Sequence, residues 1–471
     1  MVPPFVRVVV LDFDGGEMTL DCLDALARTE WPADRFEIVL VDNGSVVDVT
    51  EEVRRRHPQV RILRPLANLG FAGGCNLGIR AVGEWDHVAL VNNDAVVEPG
   101  WLAPLVEALG SAEAATAGPD GGGRRIGAAN ARILFAERAV GVELDVPAAG
   151  PVPHGDGRRL GVKVSAVRID GARADERVWA DEGFHAPEPP GPGEEMARWS
   201  GRHGALRVRV GDDVSPPARL TLELRAPDVR RVTITPEGPA VGSDPPELAV
   251  EVGPEPVWVD VALDGMPFDV VNNVGSCLFA GGYGGDRGFL EPDRGQYDEA
   301  AEVFAWCGGG VLLSRAYLDD VGLFDERFFI YYEDSDLSWR GRLRGWRYQY
   351  VPGSVIRHRH AASSGGPESP VFQFHVQRNR LLMLMKNAPA RVAIRAIAVW
   401  LRESFGVLAH DVVRPALRLR RPRLRRLKVR LRVGASLVRL TPAMLAERRR
   451  ANLVVDRSEP MTWQTVKDGM A

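Results

Sequence analysis

Lysine is almost missing from this sequence of 471 residues: four stand against abundant Arg, Ala, Gly and Val. That bias reads as GC-rich coding and carries no functional weight. Cysteine is just as sparse. Cys22, Cys75, Cys277 and Cys307 form no pair at metal-ligand or redox spacing. A disulfide framework is therefore disfavoured, and a reducing cytosol is the expected setting. No apolar run reaches the ~18 residues that a spanning helix needs. The opening MVPPFVRVVVLDFDGG lacks a basic stretch followed by an apolar one, so no signal peptide is expected. The formal net charge of -4 points to no polyanionic partner. No G-x-x-x-x-G-K-[ST] occurs, and no G-x-G-x-x-G follows the first strand, so a P-loop or a dinucleotide site is disfavoured.

What is present is alternation. Residues 6 to 11 (VRVVVL), 37 to 41 (EIVLV) and 87 to 91 (HVALV) are apolar runs of the kind buried on both faces of a parallel sheet. Helical patterns lie between them, which predicts an open α/β sheet over residues 1–123. Ligands bind such sheets at the carboxyl ends of the strands. Those ends read LDFDGG, VDNGS and VNNDA. Over 124–270 Pro and Gly become frequent, and short alternating segments such as GVKVSAVRIDG and ARLTLELRA appear. This predicts an inserted β-sandwich-like domain. The α/β texture resumes over 271–370. From 371 to 471 the chain reads as helical and increasingly basic. Its segment 414–450 is crowded with Arg and holds one acid, Glu447. A solvated helix face is one reading of it and a membrane-surface helix the sharper one. Nucleic-acid binding is disfavoured.

Three stretches carry chemistry. In VNNDAVVEPGW a buried strand ends in Asn92, Asn93 and Asp94. One strand-end carboxylate can share Mg or Mn with a diphosphate, because these ions often take only one or two protein carboxylates. An ordinary turn is the plainer reading. In ANLGFAGGCNLGIR, Gly70, Gly73 and Gly74 admit close approach by a ligand or a neighbouring strand, and the following helix N-terminus favours anions. In FFIYYEDSDLSWR an aromatic run, read as an apolar strand, ends in Glu333, Asp334 and Asp336. Acids suit a first helical turn, yet that does not explain why an apolar strand should deliver them.

Taken in order, VDNGS, NLGFAGGCNLGI, VNNDA, GLFDERFFIYYEDSDLSWR and VIRHRHAASSG resemble the motifs of family 2 glycosyltransferases of GT-A fold. The closest likeness is to the non-processive, rhamnosyltransferase-like bacterial subgroup. The resemblance covers roughly residues 5–123 and 271–390; the insert lies outside the usual family core. It implies that Asp42 binds the nucleobase, with Asn43 and Ser45 beside it. Asn68, Gly70 and Asn76 resemble the nucleotide-facing loop, and Asn93 is grouped with them. Asp94 matches the last acid of the D-x-D metal motif, and His358 or His360 the late histidine of the metal site. Asp334 matches the catalytic base and Glu333 its partner. Trp306, Gly308 and Gly309 resemble the sugar-pocket segment. Two departures stand out. Asn92 replaces the first acid of the metal motif, and Asp12 and Asp14 stand where relatives often carry Asn-x-Asn. The processive signature Gln-x-x-Arg-Trp is absent.

The implied activity is that of an inverting, metal-dependent glycosyltransferase. Its donor is a nucleotide-diphosphate sugar, best assigned as dTDP-rhamnose. Its acceptor is a cell-envelope or lipid-linked glycan, reached from the cytoplasmic face of the plasma membrane by a peripherally bound enzyme. The chemistry is coherent: a metal neutralises the leaving diphosphate, and a carboxylate takes the acceptor's proton. Asp334 would be that carboxylate, with Glu333 and Asp336 holding or tuning it. A glycan-binding scaffold with a decayed GT-A domain is the alternative. A nucleotidyltransferase is disfavoured because LDFDGGEMTL carries no basic residue.

Overall fold

The computed structural model describes residues 2–116, 125–151, 158–180, 183–191, 193–211, 218–237, 247–263, 265, 267–359 and 369–452. His360, one of the two candidate metal histidines, lies outside the described residues. The chain divides into two compact units. The first takes in Met1–Leu134, Asn273–Phe289 and Tyr297–Ala471; the second takes in Phe135–Asn272 and Leu290–Gln296.

The first unit is built on a mixed sheet. Strands β1 (Val6–Asp12), β2 (Phe36–Asp42), β3 (Arg61–Leu63) and β4 (His87–Asn92) run parallel in the order β3-β2-β1-β4. The sheet then continues through Gly310–Ser314, antiparallel to β4, and on through β6 (Arg125–Phe135), Trp346–His358 and Ala301–Val303. A short β5 (Ala95–Val97) pairs with the far end of Trp346–His358, setting His358 opposite Ala95.

The apolar runs are unbroken because both faces are covered. Val6, Val8 and Val10 join one core with Leu20, Leu23 and Leu26 of helix α1 (Glu17–Leu26) and with Leu102 and Leu105 of α4 (Leu102–Thr116). The intervening Val9 and Leu11 face α3 (Gly70–Ile79), where Gly78 and Gly74 leave no room for a Cβ. Each fully buried Val or Leu here stabilises the fold by roughly 1.5–3 kcal/mol. Register does the functional work. Asp12 pairs with Asp42, and Leu11 with Asn92, so the polar ends of β1, β2 and β4 meet at one sheet edge.

The second unit holds two antiparallel sheets, each of five strands, around one apolar core that includes Val142, Leu206, Val164, Leu222, Ile234 and Val261. Inside it, the buried Arg207 guanidinium grips Glu237 through two bonds of 2.7 Å. This unit begins at Phe135 rather than at 124. The segment RIGAANARILF has the small residues of a linker. The structure makes it a central strand, because the fully buried Ala128, Ala129 and Ala131 let neighbours pack closely.

After Trp346–His358 the first unit ends in helices. Ser369 caps α7 (Pro370–Asn387) by accepting the Phe372 N–H at 3.1 Å, and Pro370 occupies the first turn. Then come α8 (Ala390–Val407), a π-helical turn (Leu408–Val413), the short α9 (Arg414–Leu417) and α10 (Leu424–Asn452). Val429, Val433, Leu437 and Met444 of α10 share a core with Leu381, Leu382 and Leu384 of α7. Among the described residues, no helix is long and apolar enough to cross a membrane.

Candidate active site

The ends of β1 and β2 are cross-linked by side chains. Asp12 is fully buried, and its Oδ1 accepts from the Gly15 amide (3.0 Å), Thr19 Oγ1 (2.8 Å) and Asn93 Nδ2 (2.9 Å). Burial pushes the Asp12 carboxyl above its ordinary pKa, and these donors offset part of the rise. Ser45 Oγ donates to Asp12 Oδ2 at 3.3 Å and accepts the Asp14 amide at 3.0 Å. Asp42, also buried, accepts the Ser45 amide at 3.0 Å and pairs with Arg64 Nε at 3.0 Å. Asp12 therefore braces this edge through the turn that follows β1.

Several asparagines assigned to the nucleotide have internal partners. Asn43 Nδ2 donates to Asn68 Oδ1 (3.0 Å) and to the Gly70 carbonyl (3.1 Å), and its Oδ1 accepts the Leu69 amide at 2.9 Å. Asn68 Oδ1 also takes the Gly70 amide at 2.7 Å. Asn76 is fully buried and clasps the backbone of Phe324 through its Oδ1 (3.1 Å) and Nδ2 (3.0 Å). Asn93 serves Asp12 and Thr19. These residues shape the loop walls. Gly70 has φ +70°, a backbone region that suits glycine, and the Phe329 carbonyl occupies the place where a Cβ would stand.

Across the edge, at the end of β4, Asp94 Oδ1 lies 2.8 Å from His358 Nε2, and Asn92 Nδ2 lies 3.3 Å from the same nitrogen. One carboxylate and one imidazole converge, with an amide beside them. Among the described residues no three His, Cys, Asp or Glu side chains gather into a metal cluster. The pair fits an ion that draws the rest of its shell from a diphosphate and water, as Mg2+ does.

The base candidate stands nearby. Gly309 approaches Asn92 so closely that a Cβ there would lie 3.2 Å from Asn92 Nδ2. One residue earlier, the Gly308 backbone is close enough to Asp334 to help hold its pKa down. The Gly308–Gly309 step thus joins the Asp94–His358 pair to Asp334. Asp334 Oδ1 accepts the Ser335 amide at 2.6 Å. Burial and the Asp286 charge raise its carboxyl pKa to about 6, against the pull of these backbone groups. Glu333 is more deeply buried. Its Oε2 has no hydrogen-bond partner among the described residues, and burial with the Asp334 charge lifts its pKa well above the ordinary value. Burial thus favours the neutral form of Glu333, and Asp334, which accepts the Ser335 amide, is the base candidate of the pair.

Three sequence expectations change here. The aromatic run before Glu333 forms a tight turn instead of a strand: Phe329, Tyr331 and Tyr332 take φ of 68°, 68° and 69°. L-residues pay roughly 1–2 kcal/mol each for that conformation, so something must hold it. Helix α7 does. Asn379 Nδ2 lies within hydrogen-bond reach of the carbonyls of Phe328 (2.8 Å), Ile330 (2.8 Å) and Tyr331 (2.7 Å). Arg378 Nη2 reaches those of Arg327 (3.0 Å) and Phe328 (2.8 Å), and His375 stacks on Phe329 at 5.4 Å. His375, Arg378 and Asn379 share one helix face by their i, i+3, i+4 spacing. That spacing, in HVQRN, is the signal the motif reading passed over.

Second, Asp336 does not tune Asp334. It is fully buried, with Lys386 Nζ, Asn387 Nδ2 and Arg340 Nε at 2.8, 2.8 and 2.9 Å, and it anchors α6 (Glu333–Leu343) to the end of α7. Third, Trp306 does not line a pocket. Its ring is fully buried, packed edge-on to Phe324 at 5.9 Å in the interior.

With this geometry in hand, comparison with known proteins gives a family and relatives. Residues 8–135 match the model of the glycosyl transferase family 2. Residues 8–135 thus carry a family 2 glycosyltransferase domain. It is similar to the N-acetylglucosaminyl-diphospho-decaprenol L-rhamnosyltransferase of two Mycobacterium tuberculosis strains, CDC 1551 / Oshkosh and ATCC 25618 / H37Rv. Identity to each is 37% over 127 residues, or 26% of this chain and 39% of the relative. The chain thus spans about two fifths of the length of those relatives. Among solved structures it is similar to GalNAc-T7 with UDP, GalNAc and Mn2+ (TM-score 0.42, 13% identity, 81% of this chain and 48% of that one). It is also similar to the mannosyltransferase PcManGT of Pyrobaculum calidifontis in complex with GDP-Man and Mn2+ (TM-score 0.36, 13% identity, 100% and 86%).

Proposed function

We propose that this protein is an inverting glycosyltransferase that moves a sugar, best assigned as rhamnose, from a nucleoside diphosphate to a cell-envelope or lipid-linked glycan. One observation carries the reading. Gly308 neighbours an ionisable carboxylate, Asp334, and Gly309 packs on Asn92, which stands beside the Asp94–His358 pair. A donor sugar lying across that step would have its diphosphate at one end and its anomeric carbon facing a base at the other. The acceptor hydroxyl oxygen forms the new bond to the anomeric carbon. Its proton passes to Asp334, and the bond to the diphosphate oxygen breaks. Direct displacement with one base inverts the centre. Asp94 and His358 are the residues that would hold a Mg2+ or Mn2+ ion, whose contribution is to neutralise the leaving diphosphate. The rhamnose assignment is supported by the mycobacterial relatives, which are named as L-rhamnosyltransferases.

The test is a panel of nucleotide sugars, with Mg2+ or Mn2+, assayed for binding and for transfer to polyprenyl-diphosphate glycans. Metal-dependent binding of one donor is expected, dTDP-rhamnose first. If no nucleotide sugar binds under any metal condition, the enzyme reading fails and glycan binding without turnover takes its place.

An acceptor of this class would be met at the inner face of the plasma membrane, and the last helices suit that setting. Ile394, Leu401, Phe405 and Leu408 recur along an exposed face of α8 and the turn after it, with Phe405 68% exposed. Leu431, Val438 and Leu445 do the same along α10, with Val438 78% exposed. Exposed arginines flank both rows: Arg391, Arg395 and Arg402, then Arg432, Arg439 and Arg449. Apolar rows with arginine borders fit an anionic bilayer surface. Sedimentation with phosphatidylglycerol vesicles, but not with phosphatidylcholine ones, is expected for the intact chain. The double variant Phe405→Ser, Val438→Ser should lose most of that binding. Equal recovery with both vesicle types would sink the assignment.

A further inference from the structure

Outside the matched motifs, the hairpin of Ser276–Phe279 and Tyr283–Asp286 brings one more acid to the site. Ser276 exchanges backbone hydrogen bonds of 2.8 and 3.0 Å with Ala305, just before the Gly308–Gly309 step. The Gly284 amide donates to the Tyr332 hydroxyl at 3.0 Å. Arg380 of α7 donates to the Gly281 carbonyl at 2.6 Å and lies over the Tyr283 ring at 4.1 Å. The hairpin is thereby fixed to the glycine segment, to the strained turn and to the clamp helix.

The carboxylate at its end is held by one oxygen. Asp286 Oδ1 accepts from Asn273 Nδ2 (2.6 Å) and Ser276 Oγ (3.4 Å). Asn273 is buried, and its Oδ1 takes the Gly275 amide at 2.8 Å. It also meets Asn130 Nδ2 at 3.4 Å, and Asn130 Oδ1 in turn accepts the Cys307 amide at 2.7 Å. A buried amide network therefore orients Asp286, while Asp286 itself stays exposed to solvent. Surrounding protein nonetheless crowds Asp286 enough to raise its pKa, against the opposing influence of His358. Its charge is also felt by Asp334. His358 marks the diphosphate end of the donor and Asp334 the anomeric carbon. The hairpin's bonds to Ala305 and Tyr332, which lead into Gly308 and Asp334, set Asp286 on the side of the site where the sugar ring would lie.

We propose that Asp286 is a sugar-binding residue whose free oxygen accepts hydrogen bonds from hydroxyls of the transferred sugar. The inference rests on the glycosyltransferase reading above. A carboxylate accepts at both oxygens and suits hydroxyl donors.

The experiment titrates the intact chain, in Mn2+, with UDP, dTDP and GDP and with UDP-glucose, dTDP-rhamnose and GDP-mannose. Asp286→Asn is expected to bind the preferred nucleotide sugar roughly 10- to 100-fold more weakly, with affinity for the matching free diphosphate within about twofold of wild type. Equal weakening of both ligands overturns the proposal, because Asp286 would then serve the diphosphate or the fold. No weakening of either overturns it too. If Asp286→Asn does not fold, Ser276→Ala frees the carboxylate's orientation and should show a smaller loss confined to the sugar conjugate; unchanged selectivity overturns the proposal. A wild-type chain that binds neither kind of ligand overturns the glycosyltransferase reading along with it.

Discussion

Replacing Asp334 with Asn should lower kcat by about 10²–10⁴-fold, the range that a positioned general base supplies. Affinity for the nucleotide sugar should stay near wild type, because the amide keeps the shape and the neighbouring contacts. Calorimetric titration beside a transfer assay separates the two. The pH profile should carry the same signature. The Asp334 carboxyl is raised from 3.8 to about 6, and the base acts only when ionised. In wild type, kcat/KM should therefore rise about tenfold per pH unit below 6 and level off above it. Stability runs the other way. A folded-state pKa above the unfolded value means that the fold prefers the protonated acid. This group's stabilising contribution is full below pH 3.8 and is lost as pH rises through about 6. At pH 7.5 the Asn variant should thus melt at the same temperature as wild type, or a few degrees higher. An inactive variant that melts well below wild type would assign Asp334 to the fold instead of the chemistry.

Asn379→Leu should show the opposite pattern, losing both stability and turnover. The substitution keeps the volume and removes a donor shared by three backbone carbonyls in the Phe328–Tyr331 turn. Arg378 still serves the Phe328 carbonyl, but those of Ile330 and Tyr331 lose their Asn379 donor; a carbonyl left buried without a donor costs roughly 1–3 kcal/mol, and the left-handed residues lose a contact that holds them. The turn then relaxes, and Asp334 moves off its mark at the start of α6. A displacement near 1 Å is enough to cost about 100-fold in kcat. Affinity for the free nucleoside diphosphate should change little, because the Asp12–Asp42 edge and the Asp94–His358 pair are built by other elements. The readouts are thermal melting, steady-state kinetics and diphosphate titration on one preparation. A kcat within threefold of wild type would rule out α7 as the positioning element.

The acids at the sheet edge were legible because period and composition announce them. An apolar run that stops at Asp or Asn can only place that residue at a strand end, and parallel register then brings successive ends together. Asp42 and Asp94 needed nothing more than that logic. The roles of the asparagines did not follow in the same way. Asn76 has the chemistry to hold a nucleotide, yet its partners at Phe324 lie 248 residues further along the chain. An amide's donors and acceptors look alike in sequence whether they face a ligand or a distant backbone.

Aromatic residues misled for a related reason. Phe, Ile and Tyr favour strands locally, so FFIYYED reads as one. The tertiary contacts of Arg378 and Asn379 outweigh that preference and impose a turn that no local propensity would choose. Trp306 reads as a sugar platform, and packing against Phe324 buries it. Asp286 sits in no recognised motif, and its importance appears only when the hairpin folds back beside Asp334.

By itself, then, the sequence determined the order of strands and helices, the acids at their ends and the β-rich interruption. These depend on patterns within a few residues of one another. Only the tertiary structure decided which polar groups are already satisfied, which acid remains ionisable and which turn carries strain. Those properties arise from burial and from partners far away in the chain, and a hydrogen bond or a desolvated charge exists only once both sides have been brought together.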